Sequence, residues 1–473
     1  MTEIDAPATY AEPARAVPVL AQVDVLVVGG GPSGVAAAVG AARTGARTLL
    51  VEQGAAFGGM WTSGLVITLA GYNSWLMPDR VRCVAGVGGD WLARAEAIGG
   101  ALNHDGFALS SDPEKMKLVA DRLLQDAGVE VLLHVLATSP IVEDGAVRGC
   151  IIETVEGRRA IRAAVTVDGT GNGDIVSRSG DDWTQGETLQ PMTMSMRIGN
   201  VQPVEAVDHL APRQIPIGPD AGPLMEPALS EYASVRADVP VDIPAMREIR
   251  RRGGLPVFGG PWFGGLEKDV VWVNTTRIVG DATDIHDFTR AEMQGRRDSF
   301  ALFEYFRDHV DGFAEGRLLQ TSPQIGIRET RRLIGEYTMT GDDIRDGVEF
   351  DDAVALGCWP IDVHPAEGEV GSHSMFVPAP YGIPYRALVP ATTDGLLAAG
   401  RCISVDREAL GSVRVGATCT ATGHAAGTAA ALSARHGIHP RELDVTELQA
   451  VLRDQGALVT TRDLVPRAVA QPS

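Results

Sequence analysis

Gly29, Gly31 and Gly34 stand in the order G-x-G-x-x-G, and Glu52 follows eighteen residues after the last of them. Glycines at that spacing suit one kind of chemistry: they leave main-chain N–H groups bare, so that a pyrophosphate can approach where side chains would hold it off. Pro32 and Ser33 inside the motif open a helix whose N-terminal partial charge attracts an anion. Glu52, with Gln53 beside it, can accept hydrogen bonds from a ribose. The context agrees. Val23, Val25, Leu26, Val27 and Val28 suit a strand buried on both faces, Pro32 to Thr44 is Ala-rich, and Arg47 to Glu52 predicts a second strand. Strand, glycine turn, helix, strand and acid together predict a dinucleotide site.

Other residues suit acid–base and anion chemistry. Arg414, in GSVRVG, offers a planar guanidinium that can grip an oxyanion or polarise a carbonyl. His364 follows the strand-like WPIDV and precedes Pro365, a strand-end place from which an acid or base can face a pocket. Arg328, Arg331 and Arg332 lie among Glu329 and Glu336 and predict an ion-pair network, with Arg328 and Tyr337 as the members that could face a substrate. His373, Tyr381 and Tyr385 are further candidates. No His/Cys cluster has metal-ligand spacing, so no metal is expected. The five cysteines are scattered without a CxxC pair and read as buried thiols of a reducing cytoplasm.

The elements that must position these groups follow from pattern. At 473 residues the chain accommodates roughly two or three domains. Its net charge of -20 argues against nucleic acid and anionic membranes as partners. Residues 1–22 read as a flexible tail without the basic, apolar profile of a leader, and glycines interrupt the one long stretch poor in charge. A helix is predicted over Pro113 to Ala127 with Asp112 as N-cap, then a strand over Val129 to His134. Short strands at Val142, Val147 to Val155 and Arg158 to Ala163 predict a meander with turns at Asp144-Gly145 and Glu156-Gly157. A separate strand, Val165 to Val167, ends at a Gly-Thr-Gly turn containing Gly171. Asp287 to Val310 predicts a core helix carrying Phe288, Met293, Phe300, Phe303 and Phe306. Near the C-terminus a strand ends at Gly400 and Arg401, a loop follows, and a helix of small residues begins near Gly416. Gly423 and Gly427 share one face of that helix, allowing close packing on a neighbouring backbone.

Several segments carry a family resemblance. QGAAFGGMWTSGLV after Glu52, the strand ending in DGTGNGD, IGIRETRRLIGEYTMTGDDI, YGIPYRALVP and the stretch Leu396 to Leu432 resemble FAD-dependent oxidoreductases of the glutathione-reductase-like, two-dinucleotide-binding-domain superfamily. Within it they resemble relatives of the fumarate reductase and succinate dehydrogenase flavoproteins. The resemblance implies an α/β fold: a Rossmann-like FAD-binding domain with parallel sheet and β-meander (residues 23–72, 112–189 and 385–436), plus an inserted α+β substrate domain (73–111 and 190–384). Residues 437–473 would be a C-terminal extension. It also implies a non-covalent FAD touched by Gly59, Met60, Gly171, Gly400 and Arg401, a helix N-terminus near Gly416 that stabilises the reduced flavin, and Arg414 on a substrate carboxylate. The implied reaction moves a hydride between a small organic substrate and flavin N5, as dehydrogenase or reductase. An oxidase or monooxygenase using O2 and a non-catalytic flavin-binding redox module remain open, as do NAD(P)H, O2 or another electron partner and an oligomeric state. A second strand-preceded G-x-G-x-x-G is absent from the sequence, which argues against a built-in NAD(P)H domain. The lack of a Gly-Asp-Ala-Ala-His segment argues against the aromatic hydroxylase subclass.

Overall fold

The computed structural model describes residues 9–10, 12–75, 81–102, 108–202, 214–215, 224–225, 241–267, 269–365 and 374–464. Along the chain come β1 (Val19–Val28), α1 (Pro32–Arg43), β2 (Thr48–Val51), α2 (Gly86–Ala97), α3 (Pro113–Ala127) and β3 (Glu130–Leu132). The meander β4 (Leu136–Glu143), β5 (Ala146–Thr154) and β6 (Gly157–Asp168) follows. A second layer holds β7 (Met196–Gly199), β8 (Phe258–Gly264), β9 (Val270–Thr276), α4 (Ile285–His309) and β10 (Arg317–Thr321). The chain then runs through β11 (Ile361–Val363), β12 (Leu396–Ala398), α5 (Arg407–Val413), α6 (Gly416–His436) and α7 (Val445–Asp454).

The branched run Val25–Val28 is buried on both faces because β1 lies inside a seven-stranded sheet of order β3-β2-β1-β6-β5-β4. Its parallel part joins β1 to β2 and β6, and β12 to β6, in a Rossmann-like arrangement. β1 starts at Val19, inside the stretch expected as tail: its first residues pair with β6 although Val19 and Leu20 stay exposed. The two strands expected at Arg158–Ala163 and Val165–Val167 are one. Its first half pairs antiparallel with β5 and its second half parallel with β12, so one strand serves the meander and the parallel sheet in turn. Asp168 therefore lies level with Val28 and Ala398, and the turns after three strands meet at one edge of the sheet.

α1 and α6 pack backbone to backbone against this sheet. A Cβ on Gly423 would run into the Ser33 carbonyl, and one on Gly427 into that of Ala37. α2 buries Val87, Trp91 and Leu92 in the same core. The segment between Gly400 and Gly416, expected as loop, contains α5, which Asp406 caps by accepting from Ala409 N at 2.7 Å.

The second layer is an antiparallel sheet of order β8-β9-β7-β10. One face packs Met196, Ile198, Val271 and Val273 on Leu302, Phe303 and Phe306 of α4. That helix starts at Ile285 behind the Asp284 cap, and of the aromatic positions expected in its core Phe300 is 54% exposed, as is Met293 at 53%. With period-2 alternation, Trp272 and Asn274 turn to the opposite face, toward the cavity described below.

Candidate active site

The glycine turn does three separate jobs. Gly29 takes a left-handed φ of +95° where a Cβ would meet Gly169 O and Thr170 Cα at 2.7 Å, so two strand ends close on each other. A Cβ on Gly34 would be driven into the Gly29 carbonyl, so that position keeps the helix start tight on the turn. At Gly31 a Cβ would meet nothing within 4 Å; this glycine borders open space. Glu52 is held still by two main-chain donors, Gly30 N and Gly54 N, each 2.6 Å from a carboxylate oxygen. Its remaining lone pairs face the same space, beside Gln53.

That space is a cavity of about 680 Å3 running between the two sheets. Gly29, Gly31, Pro32, Ser33, Glu52, Gln53, Gly59, Met60, Gly171 and Arg401 border it. Gly34 and Gly400 act from behind: Gly400 lets the last strand pass Ser33, where a Cβ would sit 2.6 Å from Oγ. Asp168 shapes the turn after β6 by accepting from Thr170 N and Oγ1, Ile175 N and Val176 N, at 2.6–3.0 Å. Arg401 donates to Gly171 O at 2.8 Å, to Asn172 Oδ1 at 2.5 Å and to Ile327 O, so it braces two loops of the wall. Val415, Gly416 and Cys419 bring the N-terminus of α6 to the same wall.

Another part of the cavity lining is charged. Arg277, Arg328, Arg414, Asp362 and His364 all border it. Arg328 donates to Pro191 O at 2.5 Å and Thr193 Oγ1 at 2.6 Å, and Arg277 to the same Thr193 Oγ1 at 3.1 Å and to Thr276 O at 3.0 Å. Arg414 donates to Asp362 O at 2.9 Å and lies 3.4 Å from its carboxylate. His364 Nε2 stands 3.2 Å from the same carboxylate. Burial, reinforced by the nearby Arg328 charge, pushes the His364 pKa down to about 3, so the ring is neutral at physiological pH. Burial, with the Arg414 charge nearby, lowers the pKa of Arg277 to about 10, and burial with the Arg277 and Arg414 charges also lowers that of Arg328.

Thus Arg414, His364 and Arg328, far apart in sequence, share one wall. Tyr337 does not join them: its hydroxyl donates to Asp343 at 3.0 Å and its ring packs on Phe350. Of the ion-pair network expected among these residues, Arg332 pairs with the buried Glu329 at 2.8 Å, whereas Arg331 pairs with Asp174 at 2.7 Å and Glu336 with Arg441 at 3.4 Å. Tyr381 bonds Ser412 and Tyr385 bonds Pro440 O, both within the core. His373 lies outside the described residues. Arg277, Thr193, Asp362, Trp272 and Asn274 were not singled out from sequence. The one available signal was the pair Asp362 and His364, which a strand places on one side. Among the described residues no cluster of His, Cys, Asp or Glu could hold a metal ion, and no helix is long and apolar enough to cross a membrane.

Comparison with known proteins bears on the whole chain. The family described as FAD dependent oxidoreductase matches residues 24–452. A digeranylgeranylglycerophospholipid reductase of Methanoculleus marisnigri is 30% identical over 173 residues, which are 31% of this chain and 38% of that protein. A thiamine thiazole synthase of Aeropyrum pernix is 33% identical over 168 residues, 33% of this chain and 57% of its own. The chain therefore spans well under two thirds of either relative. A geranylgeranyl bacteriochlorophyll reductase-like structure from Thermoplasma acidophilum aligns over 92% of this chain and 84% of its own, with 15% identity and a TM-score of 0.46.

Proposed function

The chain belongs to the FAD dependent oxidoreductase family, an enzyme family with FAD as cofactor, and from that premise we propose that it transfers a hydride between a small organic substrate and flavin N5. The observation that carries this reading is the shared cavity, bordered both by a glycine cradle and by an Arg–His–Asp wall. The cradle fits FAD: Gly31 leaves open the volume that a side chain would fill, Ser33 and Pro32 start α1 there, and Glu52 stands fixed beside it. When bound, FAD supplies the two-electron chemistry at its flavin ring.

The protein's own residues do the rest. Arg414, in the place suggested by the likeness of Leu396–Leu432 to fumarate reductase and succinate dehydrogenase flavoproteins, binds negative charge that develops on the substrate. His364, neutral and oriented by Asp362 through its Nε2–H, takes up or returns a proton at Nδ1. A negative group on the arginines would remove part of the repulsion that keeps this ring unprotonated, making His364 a better base when substrate is bound. The α6 N-terminus adds partial positive charge to the same wall. The five buried, unpaired cysteines support a reducing cytoplasm as its setting.

Anaerobic titration of the purified flavoprotein with substrate panels, NADH and NADPH tests the proposal. Substrate-dependent bleaching of the flavin is expected, slowed roughly 100-fold by Arg414→Ala with flavin content little changed. Full turnover by a flavin-free preparation would end the proposal, and wild-type turnover by Arg414→Ala would remove that residue from it. Oxygen consumption separates a dehydrogenase from an oxidase.

A further inference from the structure

The charge balance at the Arg–His–Asp wall identifies a substrate class. Three guanidinium groups, those of Arg277 and Arg328 buried and that of Arg414 nearly so, face the cavity beside one carboxylate, Asp362. Guanidinium groups stay protonated even when burial lowers their pKa, so this wall carries net positive charge away from water. Among the described residues, the hydrogen bonds of Arg277 and Arg328 go to Thr193, Thr276 and Pro191 oxygens, none of them charged, and Arg414 Nε has no partner. Buried charge without a counter-charge is strongly disfavoured unless a ligand supplies one. The glycine cradle is built on the first sheet, whereas Arg277 closes β9 of the second sheet and Arg328 follows β10. Arg277 and Arg328 therefore stand on a different layer from the glycines that receive the dinucleotide, and Arg414, just before the α6 N-terminus, lies between the two.

Beside them the cavity is aromatic. Trp75 and Trp359 meet edge to face at 5.0 Å, and Phe263 and Trp272 line the same space. Among the described residues Trp272 Nε1 and Asn274 Oδ1 are buried without partners, so the wall keeps a donor and an acceptor for a ligand. We infer that the substrate is an organic acid with a flat apolar body, its carboxylate on Arg277, Arg328 and Arg414 and its body among the tryptophans. Arg277 is assigned as a substrate-binding residue. This rests on the reading of the cavity as the substrate site.

Calorimetric titration of the oxidised, flavin-loaded protein with benzoate, phenylacetate and 3-phenylpropanoate, each beside its neutral amide and beside acetate, tests it without turnover. At least one aromatic acid should bind roughly ten- to hundred-fold more tightly than its amide, and more tightly than acetate. Arg277→Gln should lower affinity for that acid by a similar factor, leave the amide unchanged, and so collapse the acid-to-amide ratio; Arg277→Lys should recover part of it. Flavin content and melting temperature establish that each variant is folded. Equal binding of acid and amide, no saturable binding by any of the three acids, or an unchanged ratio in both folded variants overturns the inference. An acid that binds but never exchanges electrons with the flavin would instead break the hydride-transfer proposal and leave this one standing.

Discussion

Replacing Gly31 by alanine separates the cofactor role of the glycine turn from its structural role. Gly31 has φ -70° and ψ -174°, extended backbone that alanine adopts freely, and its Cβ would have no neighbour within 4 Å. Without cofactor the substitution should be harmless or mildly stabilising, by about 0.4–1 kcal/mol, because alanine has less freedom to lose on folding. With FAD the added methyl stands in the space reserved for the pyrophosphate. Overpacking of that kind costs about 1–3 kcal/mol, which at 1.4 kcal/mol per tenfold weakens FAD roughly 5- to 150-fold. Gly34→Ala should behave oppositely, losing about 3 kcal/mol even without cofactor, since its methyl has to displace the Gly29 carbonyl. Urea unfolding of flavin-free protein and flavin titration of the refolded protein measure the two effects independently. If Gly31→Ala binds FAD with native affinity, or unfolds the flavin-free chain, the assignment of the open face to the dinucleotide is wrong.

Two other outcomes follow from packing and burial. Gly427→Val should lower the melting temperature sharply and cost about 3 kcal/mol or more in urea unfolding, because its side chain enters the Ala37 carbonyl where α1 and α6 touch; a native melting temperature would mean that the helices can part without loss. His364 is neutral when folded, with a pKa of about 3 against about 6.5 unfolded, so the unfolded chain binds more protons between those values. Its contribution to stability is complete above the unfolded pKa and is lost as pH falls, at up to about 1.4 kcal/mol per pH unit. His364→Gln should flatten the difference in urea midpoint between about pH 6 and pH 4, and an unchanged slope would show that the ring is already solvated.

What could be read from the sequence was whatever a residue determines over a few neighbours. Gly29, Gly31 and Gly34 could be assigned because each task belongs to one turn between one strand and one helix. Gly423 and Gly427 could be assigned because a spacing of four on a helix means one face, whatever the partner. Arg401, expected at the cofactor, does border the cavity, yet it donates to Gly171, Asn172 and Ile327, a bracing role that no local pattern reveals. Tyr337, expected to be able to face a substrate, instead donates its hydroxyl to Asp343, six residues on. The single strand β6 was divided in two because its sequence changes character where its partner changes from β5 to β12.

Arg277 shows the limit most clearly. In VVWVNTTR it is an arginine at the end of a strand, indistinguishable from the many that end in solvent. Two long-range facts bury it and turn it to the cavity: β9 pairs with β7, placing Met196 against Val273, and Thr193 then stands where both Arg277 and Arg328 reach its hydroxyl. Thr193 is eighty-four residues from one arginine and 135 from the other. A hydroxyl oxygen that accepts from two buried cations cannot neutralise either, so the fold brings the charges together and leaves them for a ligand to balance. Chemistry assembled by sheet register in this way becomes visible only when the strands are paired. Alternation along β9 turns Trp272 and Asn274 to the cavity, and Arg277, one residue past the end of the strand and so released from that alternation, borders it too; a ligand that satisfies the arginine lies against the aromatic wall.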